Sequence, residues 1–196
     1  MARTLVGVII AALASASCGE VARTGRSPVI LVVDNIGASA GGGTQFSAFL
    51  LSDVLTSGSV INDSGRATLS TALKNPGYAA APLGPTQLNT VVIDRYHVRF
   101  VRADGRNTQG VDVPFSFDGG STATVPPNGS AEVVFDLVRH TSKSEPPLSN
   151  LVGGGGQSLI NAIAEVTFYG HDLAGNEITA TGFIQVNFGD FADPRQ

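Results

Sequence analysis

Hydrophobic and polar residues alternate with a period of two along much of this chain, and helical periodicity is nearly absent. The elements it predicts are therefore strands. The strongest pattern ends the chain. Ala164, Val166 and Phe168 share one side of a strand, and Asp172-Leu173-Ala174-Gly175-Asn176 turns it. Ile178, Ala180, Gly182, Ile184, Val186 and Phe188 then share one side of the return. Val91 to Ala103 sets Tyr96, Val98 and Phe100 on one face, with Arg95, His97, Arg99 and Val101 on the other. Pro28 opens Val29 to Val33, a continuous apolar run expected to form a buried strand, and Arg66 to Leu73 is a further strand stopped by Asn75-Pro76-Gly77. Asp104-Gly105 is expected to turn the chain into Val111 to Phe117, an edge strand because Pro114 cannot donate. Asp118-Gly119-Gly120 reads as the next turn and Thr122 to Val125 as a short strand. After Pro126-Pro127-Asn128-Gly129, Ala131 to Arg139 points Val133, Phe135 and Leu137 inward. Residues 35–45, 76–90 and 140–157 read as long loops, and Phe46 to Leu55 fits a helix or a strand equally.

Seven to nine short strands separated by turn signals predict an all-β fold, an antiparallel sandwich with long loops. The 24 glycines and 10 prolines fit a chain that turns often. The segment Val166-Thr167-Phe168-Tyr169-Gly170-His171-Asp172-Leu173-Ala174-Gly175-Asn176 is similar to the last two strands of bacterial immunoglobulin-like domains. That resemblance implies an immunoglobulin-like sandwich. No internal repeat is evident, so residues 28–190 are expected to form one enlarged domain. A split near residue 90 would leave residues 28–75 with too few strands to close a core.

At the other terminus the pattern changes. Arg3 precedes a twelve-residue uncharged run, Leu5 to Ala16, in the order of a secretory signal and too short to span a bilayer. The run ends in Ala14-Ser15-Ala16-Ser17-Cys18, which resembles the lipobox of bacterial lipoproteins, with Ser15 where that family usually carries Leu. The resemblance implies cleavage after residue 17 and a diacylglyceryl group on the sulfur of Cys18. Residues 1–17 are then a signal peptide, 18–27 a flexible tether and 191–196 a tail. Gly19 follows the cysteine, where enterobacterial retention in the inner membrane uses Asp. An outer-membrane address is favoured if the host has two membranes.

Charge and cysteine usage narrow the function classes. Cys18 is the only cysteine, so no disulfide forms within the chain, and acylation would remove its thiol. The net charge is −4, and without Arg3 the chain carries 11 basic against 16 acidic residues. The basic residues are scattered apart from Arg95 to Arg106, so nucleic-acid binding is disfavoured. After position 18 no apolar run reaches the roughly 20 residues of a membrane helix, which leaves the lipid on Cys18 as the route to the membrane.

Candidate chemistry is thin. Arg95, His97 and Arg99 would line one strand face, able to grip an anion or simply to solvate the sheet. Oxygen ligands cluster in the turn from Asp172 to Glu177, as calcium would need, although Asp and Asn beside Gly serve a tight turn equally well. His97, His140 and His171 lie in separate segments, and no Gly-x-Ser-x-Gly elbow is present. The glycine runs 41–43 and 153–156 lack the Lys-Ser/Thr ending of a phosphate loop. The expectation is a non-enzymatic envelope module without a cofactor, binding an envelope protein or glycan through loops 35–65, 76–90 and 140–161. A hydrolase acting on an envelope polymer and a calcium-stabilised adhesion module are the alternatives.

Overall fold

The computed structural model describes residues 25–154 and 158–191. The expected signal peptide, Cys18, most of the tether and nearly all of the tail lie outside the described residues. Among the described residues strands make up 55% and helices 7%, so the all-β class holds.

Eight strands of five residues or more form two sheets. The smaller contains β1 (Val29–Ser39), β3 (Asp63–Leu73) and β8 (Ser130–Val138), in the antiparallel order β1-β3-β8. The larger has the order β2-β10-β9-β6-β7, from β2 (Phe49–Asp53), β6 (Val91–Val101), β7 (Phe117–Val125), β9 (Ile160–Asp172) and β10 (Glu177–Gly189). All its neighbours are antiparallel except β2, which runs parallel to β10. A two-residue pair, β4 (Gly77–Tyr78) and β5 (Ala81–Pro82), makes a small hairpin between β3 and β6.

The two sheets face each other across one hydrophobic cluster because each strand buries alternate residues. Ala67, Leu69, Val133, Phe135 and Leu137 come from the smaller sheet; Tyr96, Val98, Phe100, Val166, Phe168, Ile184 and Val186 come from the larger. Phe135 bridges them, its ring 5.2 Å from Tyr96 and 5.5 Å from Phe168. The Tyr96 hydroxyl accepts the Asp136 amide at 3.1 Å, which satisfies the polar tip of a buried ring. The first strand lies over the last: a Cβ on Gly182 would sit 2.7 Å from both Val33 and Ile36.

Several local expectations are corrected. The first strand does not stop at Val33. A bulge at Asp34 shifts its register against β3, after which pairing continues to Ser39 through residues expected to loop. Within Phe46 to Leu55, which fitted a helix or a strand equally, Phe49–Asp53 is a strand. Val111 to Ser116 is coil, because the Thr108 carbonyl gathers the amides of Val111, Asp112 and Val113; only Val113 of its three large apolar residues is buried. The glycines at 119 and 120 are not a turn but the middle of β7. A side chain at 119 would fall 2.2 Å from the Tyr96 ring, so glycine is required there by a neighbouring strand. Asp94 is a bulge in β6, which puts Tyr96, Val98 and Phe100 inward as the alternation predicted. Of the stretch 140–157, expected to loop, the first part holds α1 (His140–Ser144) and a 3-10 turn, Leu148–Leu151, that buries both of its leucines, while 155–157 lie outside the described residues.

Candidate functional site

The outer face of the larger sheet carries Arg95, His97 and Arg99 together, and the structure gives each an acidic neighbour. The Arg95 guanidinium lies 3.7 Å over the Tyr169 ring and 3.2 Å from Asp118. His97 Nδ1 is 3.2 Å from the same Asp118 carboxylate. Arg99 donates to Glu165 from Nε at 2.8 Å, directly across the β6–β9 pair. These are exposed cross-strand pairs, each typically contributing at most ~1 kcal/mol, and they leave little free charge for an anion.

The three histidines have separate partners. His97 faces Asp118, His171 Nδ1 lies 3.0 Å from Asp94, and both the amide and Nδ1 of His140 approach Asn62 Oδ1. His97 sits opposite Thr167, four residues from His171 on β9, or about 13 Å along the sheet. The fold does not bring them together. A polar cleft of ≈ 230 Å³ opens beside His171, between Asp94, Arg95, Tyr169, Glu177 and Thr179.

Asp172 is fully buried, with its carboxylate turned back on its own loop. Oδ1 accepts the amides of Ala174 at 3.0 Å and Asn176 at 2.9 Å, and the Asn176 side-chain amide donates to both oxygens. Burial opposes the negative charge, yet hydrogen bonds from Asn176, Ser27 and Ala174 outweigh it and hold the pKa below the ordinary aspartate value. These contacts explain the turn. Among the described residues, no cluster of three His, Cys, Asp or Glu side chains is arranged to hold a metal ion.

A polar centre that the sequence does not announce lies inside the fold. Lys143 on α1 and Asp63 on β3 have no exposed side-chain surface, with Nζ 2.8 Å from Oδ1. Asp63 Oδ1 also accepts the Gly41 amide at 2.9 Å, and Oδ2 accepts the Ser52 hydroxyl at 2.6 Å. Burial pushes the Asp63 carboxyl above its ordinary pKa, against the opposing pull of Lys143, Ser52 and Gly41. The pair ties β2, β3, α1 and the 40–43 loop into one network. Its partners are 80 residues apart, and no local pattern marks either one.

Among the described residues, two surfaces each gather four exposed apolar side chains. On the outer face of the larger sheet, Phe49 and Leu51 of the edge strand β2 and Ile163 and Phe183 beside them are 43% to 62% exposed. Ile163 and Phe183 line a shallow groove of ≈ 380 Å³ together with Ala48, Ala103 and Gln185. The second surface is at the end where β3 leads to β6: Tyr78, Leu83, Leu88 and Leu173 are each more than half exposed.

No protein-family model matches the chain, and none of the curated proteins compared with it matches either. A solved structure titled "X-ray structure of Northeast Structural Genomics Consortium target SoR45" is similar over 86% of this chain and 93% of that one. The identity is 11% and the TM-score 0.41. A likeness that loose assigns neither fold nor activity.

Proposed function

We propose that this chain is a lipid-anchored envelope protein whose immunoglobulin-like sandwich acts as a non-catalytic binding module. The apolar strip on its larger sheet would hold a partner protein. The observation that carries the reading is that strip: Phe49 and Leu51 on the edge strand, with Phe183 and Ile163 on the next two strands, are exposed on one face around Gln185, which pairs with both Phe49 and Ile163. Scattered exposed apolar residues need no explanation, but a contiguous patch marks an interaction surface. A flat aliphatic and aromatic strip also suits a protein better than a glycan.

The immunoglobulin-like part is supported by strand order. Counting the long strands as A, A′, B, C, C′, E, F and G gives A-B-E in one sheet and A′-G-F-C-C′ in the other, with A′ parallel to G. The anchor is supported by the uncharged run and small residues that end at Cys18, and Gly19, where inner-membrane retention would use Asp, bears on the address. In a host with two membranes the outer one is the proposed address.

The test is site-specific photocrosslinking in the native envelope, with a benzophenone amino acid replacing Phe183 or, on the outer face of the smaller sheet, Ser70. A defined adduct at 183 that is absent at 70 and abolished by Ile163→Ser is the expected result. Identical adducts at both positions, or none at 183, would overturn the reading.

A further inference from the structure

We infer that the end of the sandwich formed by residues 74–90 and 173–176 is a membrane-docking surface, seated on the bilayer that holds the lipid anchor; this rests on the lipid-anchor reading above. The strand register puts the relevant loops together. Val29 pairs with Leu73, and Val91 pairs with both Asp172 and Val125, so the chain's arrival at Ser27, the β3–β6 connection and the β9–β10 turn share one end. Ser27 is buried and hydrogen-bonded to Asp172, which fixes where the tether joins the fold.

That end has the surface chemistry of an interfacial anchor. From Asn75 to Ile93 no residue carries a charge, and Tyr78 to Gly84 (Tyr-Ala-Ala-Ala-Pro-Leu-Gly) is exposed throughout. A loop this exposed is ordinarily polar, since water is its only neighbour. The small hairpin holds Tyr78 outward and is closed by the Leu83 amide on the Pro76 carbonyl at 2.9 Å. Leu173 joins them because its amide is bonded to the carbonyl of Thr90, two residues after Leu88. Lys74 and Arg26 border the patch with the positive charge that anionic lipids attract.

Chain length selects the membrane as occupant. From Cys18 to Ser27 the chain takes nine residue steps, which reach about 30 Å at full extension. The long strands, of 11 to 13 residues, span about 40 Å. A tether shorter than the domain cannot present the far end to the bilayer, while the near end is held within reach. A sideways pose would press charges into the bilayer, Arg95, Asp118, Arg99 and Glu165 beside the apolar strip of the larger sheet and Asp34 and Glu132 at the smaller, whereas the chain from Asn75 to Ile93 carries none. The apolar end is the face that lipid favours.

The test uses the full chain, expressed with its signal, purified with whatever anchor it carries, and combined with vesicles of phosphatidylethanolamine and phosphatidylglycerol. Leu88→Cys and, at the opposite end, Thr108→Cys are labelled with a polarity-sensitive fluorophore. Lipids bearing a quencher on the acyl chain should quench and blue-shift the label at 88 and leave that at 108 unchanged. Leu173→Cys repeats the measurement if the first variant fails to fold. Equal responses at the two ends, with protein on the vesicles, would sink the inference. The mass of the N-terminal peptide reports acylation separately. An unacylated protein still quenched at 88 upholds the docking surface while the anchor reading fails; an unacylated protein unquenched at 88 removes both.

Discussion

Replacing Lys143 with Met should be among the most destabilising single changes in this fold, and its cost should grow as the pH rises. The ammonium and the Asp63 carboxylate are both buried, 2.8 Å apart, so removing the cation leaves a carboxylate without its counter-charge in the interior. Breaking a buried pair on one side typically costs about 3–5 kcal/mol, far above the value of an exposed pair. For a chain of this size that corresponds to a fall in Tm of about 6–20 °C. The protonation argument fixes the sign of the pH dependence. Burial already raises Asp63 above its ordinary 3.8, and losing Lys143 removes the largest opposing influence. With the folded value above the unfolded one, the native state holds the proton longer. The variant is therefore least penalised below about pH 3.8 and loses stability as the pH climbs through the folded value. The chain has no tryptophan, so urea and thermal unfolding are best followed by far-UV circular dichroism, at pH 4 and pH 7. Asp63→Asn in the same chain removes the charge and keeps an acceptor for the Gly41 amide and a partner for Ser52. The double variant should recover most of the loss. A Lys143→Met cost below about 1 kcal/mol, the range of a solvated pair, would refute the argument. So would a double variant no more stable than the single one.

Three further outcomes follow from local geometry. Gly119→Ala places a methyl 2.2 Å from the Tyr96 ring and should cost about 1–3 kcal/mol, whereas Gly120→Ala meets open space and should change stability by less than about 0.5 kcal/mol; a pair of urea titrations compares them. Asp172→Ala removes the acceptor for Ala174, Asn176 and Ser27 and should cost about 3 kcal/mol, while millimolar calcium leaves the wild-type Tm unmoved; a calcium-dependent rise in Tm would show that the turn binds the ion. Hydrogen bonds from Arg102 and Arg106 hold the Asp104 carboxyl well below the usual aspartate range, so its NMR titration midpoint should lie below that of an ordinary aspartate, and Arg102→Ala should move it upward.

What the sequence could show was set by the distance over which each cause acts. The β9–β10 hairpin was legible because both its signals are local: alternating Val, Ile and Phe, and an Asp-x-x-Gly-Asn turn whose aspartate caps its own backbone. β6 was legible for the same reason, and even its bulge left Tyr96, Val98 and Phe100 on the expected side. Asp118-Gly119-Gly120 misled because turn chemistry and close approach both call for glycine. The ring that demands Gly119 belongs to Tyr96, 23 residues earlier in the chain. β1 ran past Val33 because a bulge let polar Asp34 sit outward without ending the ladder, which no two-residue period encodes. Among the site residues, the Arg95, His97 and Arg99 row was placed correctly on one face, but whether it was free or paired depended on Asp118 and Glu165 across the sheet. Lys143 fell within the stretch 140–157 expected to loop, and its partner Asp63 lies 80 residues away.

The two exposed apolar surfaces constrain each other. On the larger sheet the groove lies near Gln185, about seven residues along β10 from Ile178 at the tethered end, or roughly 23 Å. With residues 74–90 and 173–176 seated on lipid, Phe49, Ile163 and Phe183 stand clear of the headgroups and face the aqueous side. A partner could then reach the strip without displacing the membrane contact, and the polar stretch with Arg95, His97 and His171 would separate the two surfaces. On that arrangement the paired charges would keep the sheet between the two apolar patches hydrated, a role that requires neither an anion site nor a catalytic site. If both patches instead bound the same continuous partner, crosslinks from Phe183 and from Leu88 would reach one protein. On the arrangement argued here, Phe183 reaches protein and Leu88 reaches lipid.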